Sequence, residues 1–427
     1  MDKKETPPQD SEQLGTNEVK PAPPVLENDP LIKTKLIDQL KKPWFKTFTK
    51  KQKILFGLGT TVAIVVTYLL VFPTFNSSGS PILSISNNIL QKFTPDPKID
   101  WPNNKFGIYS YRDHTSIEYG AELVNSSGGD WGWILFPMNI KEKDQVNWNS
   151  TFKLLSEKHL IPIIQIVLDP GTTPNDKDID SIATFLDKLE WPTKQRFISA
   201  FNEVNAAEYW GNKIDPEGHA QVLDKLISTL KGKSKNFFIT NGAFNASART
   251  GKVKTDLGVQ TEYLDMRDFL TRMEAKVPGI FKKLDGWAAH TYPHPFYKGK
   301  ATDTSIEGES EDEKGRNTMS SYKWELNFLK EKFGVELPVF ITETGWPHRE
   351  GTKVRSEWLD QFTVASYYKS VFNDIYLPDE RVIAVTPFGI QINTLDNFSF
   401  VSKSGKKFPQ FETIKNLPKT KGQPPLK

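Results

Sequence analysis

The chain contains no cysteine. That single absence excludes a disulfide framework, a thiolate zinc site, an iron–sulfur cluster and a cysteine nucleophile. Net charge is also nearly missing, with 55 Lys or Arg against 52 Asp or Glu. Residues 1–53 hold eleven of the Lys and eight of the acids, so everything beyond them balances. A neutral body has no long-range field to gather phosphates, which argues against a nucleic-acid partner. Glycine and proline, at 27 and 29, show neither excess nor period, so the chain is not collagen-like. Aromatics are plentiful, 12% with 11 Trp, so the chain is not disordered throughout. Its chemistry has to rest on carboxylates, His, Ser, Lys or Tyr.

Long apolar runs are absent with one exception. Residues 54–72 (ILFGLGTTVAIVVTYLLVF) are uncharged and, as a helix, about 28 Å long, the thickness of a bilayer's hydrocarbon. A transmembrane helix is the reading. Lys33, Lys35, Lys41, Lys42, Lys46, Lys50, Lys51 and Lys53 precede it, with only Asp38 opposed, whereas the 23 residues after it carry just Lys92. The positive-inside rule then places the N-terminus in the cytoplasm and the C-terminal body outside, as a single-pass signal anchor in the lipid bilayer of the cell membrane. Residues 1–30 are too polar to bury a core and read as a disordered tail. Residues 31–53 form a basic juxtamembrane segment and residues 73–100, rich in Ser, Asn and Pro, a stalk. The globular part runs over 101–418 and leaves 419–427 as a C-terminal tail.

Within it, eight β-branched or aromatic runs begin at KFGIYSY (105–111) and end at VIAVTPFGIQ (382–391). Amphipathic segments such as HAQVLDKLISTL, TEYLDMRDFLTRMEAKV and SSYKWELNFLKEKFG separate them, with apolar residues three and four apart. Eight strand–helix units in this length are the count and size of a (β/α)8 TIM barrel. A doubly wound open sheet would need a Gly-rich turn after its first strand, and SYRDHTS offers none.

Barrel sites assemble at the C-terminal ends of the strands. Glu203 closes the fourth run (SAFNEVN) and Glu343 the seventh (VFITETGWP), on facing sides of the mouth. Two such carboxylates can flank a glycosidic bond, one as proton donor and one as nucleophile or base. Taken singly, each is equally readable as a rim carboxylate in a salt bridge or cap. Asn202 can hydrogen-bond a sugar 2-hydroxyl, and Tyr292 can donate to Glu343 and hold it ionised, so Glu203 is expected to keep its proton more readily. His290 can bond sugar hydroxyls or orient a carboxylate. Trp346 and Phe388 offer faces for a pyranose ring, or core packing. Arg112 is a candidate to lower the nucleophile's pKa, or a surface turn. Asn139, Gln165 and Asp169 are candidates for outer hydroxyl contacts. His290 and His294 do not make a metal pair, because Pro293 and Pro295 forbid the helix that would align them, and neither a metal nor another cofactor is expected. The acidic run at 305–316, with Glu307, Glu309, Glu311, Asp312 and Glu313, reads as a solvated loop or a lid.

These residues resemble clan A of the retaining glycoside hydrolases. Asn202-Glu203 with Glu343 matches its pair, which implies Glu203 as general acid/base and Glu343 as nucleophile. Thr342-Glu343-Thr344-Gly345-Trp346-Pro347 is similar to the nucleophile motif of family 17, the β-1,3-glucanases and related transferases. His290-Thr291-Tyr292 is similar to the His-x-Tyr of family 5. Val204 stands where family 5 usually has Pro, His348 where family 17 has a small polar residue, and Phe388 where many clan members have Trp. The resemblance implies a retaining β-glycosidase acting on β-linked oligo- or polysaccharide, which the span at 54–72 would anchor in the membrane, and the sequence gives no sign of an obligate protein partner. Two alternatives stay open: a transglycosylase remodelling envelope glycan, and a catalytically inactive glycan-binding barrel.

Overall fold

Strand and helix alternate as the hydrophobic periods require. The computed structural model describes residues 99–254, 258, 260–353 and 355–427. The tail, the basic segment, the span at 54–72 and nearly all of the stalk lie outside the described residues. Among those described, no helix is long and apolar enough to cross a membrane.

The strands are β1 (Gly107–Tyr109), β2 (Gly132–Asn139), β3 (Leu160–Val167), β4 (Arg196–Ala200), β5 (Phe237–Asn241), β6 (Gly251–Lys254), β7 (Gln260–Tyr263), β8 (Trp287–Thr291), β9 (Val339–Thr344) and β10 (Val382–Val385). Helices α1 (His114–Asn125), α2 (Gln145–Glu157), α3 (Asp176–Lys188), α4 (Pro216–Lys233), α5 (Met266–Lys276), α6 (Ser321–Phe333), α7 (Gln361–Val371) and α8 (Pro409–Lys415) complete the units. Six of them start on a side-chain cap: Asp113, Asp144, Asn175, Asp215, Asp265 and Asp360 accept the orphan N–H groups of α1 to α5 and α7.

β1 to β5 pair in order and in parallel, as do β8, β9 and β10. Two seams close these arcs into one eight-stranded barrel. Phe106 bridges Val385 at one seam, and Thr240 bridges Gly286 at the other. At the second seam side chains supplement a single backbone bond, from Asp285 N to Ile239 O at 2.9 Å. Ile239 N donates to Asp285 Oδ2 at 2.8 Å, while Asn241 accepts from Ala288 N at 2.8 Å and donates to Ala288 O at 3.0 Å.

The strands are apolar on both faces, as parallel strands covered by helices must be. Trp133, Ile161, Phe197, Phe238 and Phe340 fill the interior, and their neighbours Ile134, Ile198, Ile239 and Ile341 pack outward against the helices.

Two segments differ from the sequence reading. The helix-like stretch 261–277 splits, because Gln260–Tyr263 pairs with Gly251–Lys254 as an antiparallel hairpin and the helix begins only at Met266. Tyr263 ties this hairpin to Ala206, beside the loop that carries Glu203. Residues 419–427, expected as a tail, lie along the rest of the fold: Gly422 N donates to Asp130 O at 2.8 Å, and Pro425 O accepts from Lys194 N at 2.7 Å.

Candidate active site

The inward positions change character along each strand. Two residues beyond Ile163, Phe197 and Phe238, on the same face, stand Gln165, Ser199 and Thr240, while in β9 a register shift at Thr342 brings Glu343 opposite His290. This switch from apolar to polar marks the C-terminal mouth.

Glu343 belongs to β9. Glu203 lies three residues beyond the end of β4, on a turn in which Phe201 and Glu203 both take left-handed backbone, with φ of 81° and 37°. Each such residue costs on the order of 1–3 kcal/mol. The turn is over-determined by its surroundings: Glu203 N donates to Ala243 O at 2.8 Å, Glu203 O accepts from Ala206 N at 2.8 Å, and the Phe201 ring is packed edge-on against Trp210. A Cβ on Gly242 would fall 2.6 Å from the Phe201 carbonyl, so only glycine lets this loop back the turn.

His290 of β8 couples the two carboxylates. Its Nδ1 is 2.9 Å from Glu203 Oε1 and its Nε2 is 3.7 Å from Glu343 Oε1, and its side chain is 1% exposed. Tyr292 donates its hydroxyl to Glu343 Oε2 at 3.1 Å. Gln165 donates to Asn202 Oδ1 at 2.9 Å and is near enough to Glu343 to favour its anion. One connected network therefore holds Glu203, His290, Glu343, Tyr292, Gln165 and Asn202.

Its electrostatics follow from burial. Desolvation works against charge on His290, but Glu343, Glu203 and Glu325 outweigh it and raise the imidazole pKa. Burial raises the Glu343 carboxyl, helped by the Glu203 charge and opposed by His290, Tyr292 and Gln165. The Tyr292 hydrogen bond expected to keep Glu343 ionised is present, and burial outweighs it. Burial and the Glu343 charge push the Tyr292 phenol well up, so it stays a donor.

Above the network opens a cleft of about 780 Å³, lined by Glu203, Glu343, Asn202, Tyr292 and Phe388 among others. Of the sequence candidates, the structure thus brings together these five, with His290 at the base. Phe388 joins an aromatic wall, edge-on to Tyr109 at 4.9 Å and Phe398 at 5.7 Å.

The other candidates fall elsewhere. Trp346 is no sugar platform: it is buried, packs edge-on against Tyr367 and Tyr368, and donates Nε1 to Gly299 O at 2.8 Å. The glycine before it swings its ring away from the cleft, with φ of 136° at Gly345. Arg112 does not reach Glu343. Its guanidinium stacks 4.2 Å over Trp148 and pairs with Glu142 at 3.6 Å, because the chain turns outward into α1 directly after β1. Asn139 and Asp169 bond each other at 2.6 Å, with Lys141 on Asp169 at 2.9 Å, and are not among the cleft residues. Gln165 is buried and braces Asn202 rather than meeting an outer hydroxyl.

Sequence reasoning missed Glu208 and Tyr209, in the loop after Glu203, and Tyr263 and Lys254 of the hairpin, all on the cleft wall. The alternating QTEY at 260–263 was the available signal, masked by the helical period that follows. The acidic run proves to be an ordered anchor. Glu313 pairs with Arg249, Arg267 and Arg316, Asp312 pairs with Arg267, and Glu309 accepts from the N–H groups of Ile306, Gly315 and Asn317. Glu307 and Glu311 remain exposed, Glu311 at 92% with Lys314 3.8 Å away.

The fold and site define a parallel eight-stranded barrel with a two-carboxylate cleft at its C-terminal mouth. No protein-family model matches the chain, and no curated protein matches it. Among solved structures it is similar to the GH39 enzyme from Xanthomonas axonopodis pv. citri, at 11% identity over 76% of this chain and 67% of that one, with a TM-score of 0.48. Fungal β-1,4-galactanases align at 11% identity over 73% and 99%, with a TM-score of 0.49. A GH128 (subgroup II) endo-β-1,3-glucanase from Sorangium cellulosum aligns at 12% over 74% and 98%, with a TM-score of 0.46. Likeness at this level carries no argument about what the chain does.

Proposed function

We propose that this chain is a retaining glycoside hydrolase that cleaves β-linked polysaccharide outside the cell, held at the membrane by residues 54–72. The observation that supports the reading best is the Glu203–His290–Glu343 network at the floor of a cleft wide enough for sugar rings.

Glu203 protonates the glycosidic oxygen while a Glu343 oxygen attacks the anomeric carbon, and the leaving sugar departs with that proton. Glu203, now a carboxylate, takes a proton from water as the water oxygen displaces Glu343, which leaves both groups as they began. Asn202 binds the 2-hydroxyl, a contact that strengthens as positive charge develops on the ring. Tyr292, Gln165 and His290, whose own pKa is raised by the facing carboxylates, reduce the cost of a buried Glu343 anion that burial opposes. Phe388 and its aromatic neighbours present apolar faces to the sugar.

The test is a pair of variants on an aryl β-glycoside with a good leaving group. Glu203→Ala should still form the covalent intermediate, and azide should restore turnover with a retained product. Glu343→Ala should give only the inverted glycosyl azide, if azide rescues it. Equal residual activity in both variants, on a substrate that the wild type cleaves, would show that neither carboxylate is catalytic and would favour a glycan-binding barrel.

A further inference from the structure

The pleat of β9 alone would point Glu343 away from the cleft. Phe340 faces the barrel interior and Ile341 the helices, so strict alternation would send Thr342 and Thr344 inward and Glu343 outward. The strand instead slips by one residue. Trp287, Ala288 and Ala289 of β8 pair with Val339, Phe340 and Ile341, but His290 pairs with Glu343 and Thr291 with Thr344, which leaves Thr342 as a bulge. That extra residue turns Glu343 toward His290 and turns Thr344 out beside Thr291.

On the outer side the two threonines meet Tyr376. It ends the π-helical turn Phe372–Tyr376 that continues α7, with Leu377 N donating to Phe372 O at 2.9 Å. The Tyr376 hydroxyl lies 2.7 Å from Thr291 Oγ1 and 2.9 Å from Thr344 Oγ1. Thr291 donates to Thr344 Oγ1 at 3.0 Å, and Thr344 donates to the Thr291 carbonyl at 2.8 Å. All three side chains are fully buried. From the other flank, Thr386 Oγ1 donates to the carbonyl of the bulged Thr342 at 2.8 Å, and Phe388 N donates to Thr344 O at 3.0 Å.

Stability does not require the three hydroxyls. Two valines and a phenylalanine would fill the same space with no polar atoms to satisfy, and paired exchanges of that kind can be neutral or stabilising. What the hydroxyls add is a choice of register, since they meet only when Thr344 points outward, and Glu343 then points inward. We propose that Tyr376 is a positioning residue for Glu343, which holds β9 in the slipped register by clamping Thr344 to Thr291. Its effect on rate rests on the glycosidase reading; the clamp itself does not.

The test uses the full-length protein with 2,4-dinitrophenyl β-laminaribioside and β-cellobioside, whose phenol leaves without a proton and so reports on the nucleophile. Tyr376→Phe keeps the ring beside Phe372 and Tyr322 and removes only the hydroxyl. In single turnovers, phenol release should slow at least about tenfold while the substrate dissociation constant changes by less than about twofold. Thr344→Val should do the same, and the double variant should be no more than about twofold slower than either, because both remove one clamp. Amide exchange in the segments 287–293 and 339–346 should quicken at least about tenfold, with β2 and β3 unchanged. Tyr322→Phe is the control: it removes the hydroxyl of another buried tyrosine, bonded to Asp379 at 2.9 Å, and should leave phenol release unchanged. Release within about twofold of wild type in both clamp variants, slowing as large in Tyr322→Phe, or exchange that quickens evenly across the barrel overturns the inference. Should Tyr376→Phe not fold, Thr344→Val decides alone. If the wild type releases no phenol, faster exchange confined to β8 and β9 upholds the clamp and tells against the glycosidase reading, whereas unchanged exchange there overturns the clamp.

Discussion

At the scale of single residues, the buried carboxyls decide how the site responds to pH. Tyr292 offers Glu343 a hydrogen bond from a phenol that burial keeps protonated. In Tyr292→Phe the anion loses a donor, and its pKa, already raised, rises further. A hydrogen bond to a charged group is worth about 1.5–3 kcal/mol, so kcat/KM at neutral pH should fall about 10- to 100-fold. The acidic limb of its pH profile should move upward. An unmoved limb would show that the bond does not stabilise the nucleophile. Glu325 of α6 is a different case. Its Oε2 accepts from Trp287 Nε1 at 2.7 Å, and burial raises its pKa to about 8. The unfolded chain gives up this proton near 4.5 and the folded protein only near 8, so between those values the unfolded state is favoured and stability falls as pH rises. Glu325→Gln keeps an acceptor for Trp287 and has no proton to lose. Its melting temperature relative to wild type should therefore climb between about pH 5 and 8, and thermal melts across that window decide the matter.

At the scale of elements, the segment between β8 and α6 forms part of the site wall and is held by charge. Arg316 is fully buried. It donates to Ala246 O, to Ala248 O at 2.7 Å, to Asp265 at 2.8 Å and to Glu313 at 3.2 Å, and it stacks 4.8 Å from the Trp324 ring. Two functions meet there, because Asp265 also caps α5 and Glu313 also holds Arg249 of the cleft wall. Arg316→Met keeps the stem volume but strands two carbonyls and leaves the carboxylates short of a partner. A loss of about 3–5 kcal/mol is expected in denaturant unfolding, together with faster proteolysis between residues 300 and 320. A cost within about 1 kcal/mol would mean that the other arginines suffice. The acids at 312 and 313 looked like a solvated run because their partners, Arg267 and Arg249, lie some 45 to 65 residues earlier in the chain. The hairpin was hidden for a related reason: its docking on Ala206 is a tertiary contact, whereas the helical period of 266–276 is local.

At the scale of the whole molecule, orientation rests on the lysines before residue 54. If they remain inside, protease added to intact cells should remove the domain over 101–418 and spare an N-terminal tag. Protection of the domain with loss of the tag would reverse the assignment. The barrel itself is closed at two seams that no single strand reveals, and at the second the side chains of Asp285 and Asn241 reinforce a sparse backbone pairing. The last residues add a further closure by bonding to Asp130 and Lys194.

What the sequence determined by itself is everything that depends on period and position along a strand. Eight two-faced apolar runs, each followed by a helical period, specify a parallel barrel. A Glu within or just past the fourth and seventh of them lies at the mouth end, because every barrel strand points the same way, but the left-handed turn at Glu203 and the register shift before Glu343 decide that both face the cleft. His290 and Tyr292, two residues apart at the end of one strand, share its face for the same reason. Direction off the strand was decided only by tertiary structure. Trp346 follows Glu343 by three residues and Arg112 follows β1 by three, yet the first is folded into a pocket of tyrosines and the second is stacked on Trp148. Gln165 became a brace for Asn202, and Lys254 and Lys353 reached one cleft wall from segments about a hundred residues apart. A strand constrains where its side chains point through its own pleat; a loop residue takes its direction from whichever distant surface offers the better contact, and that surface exists only once the chain has folded.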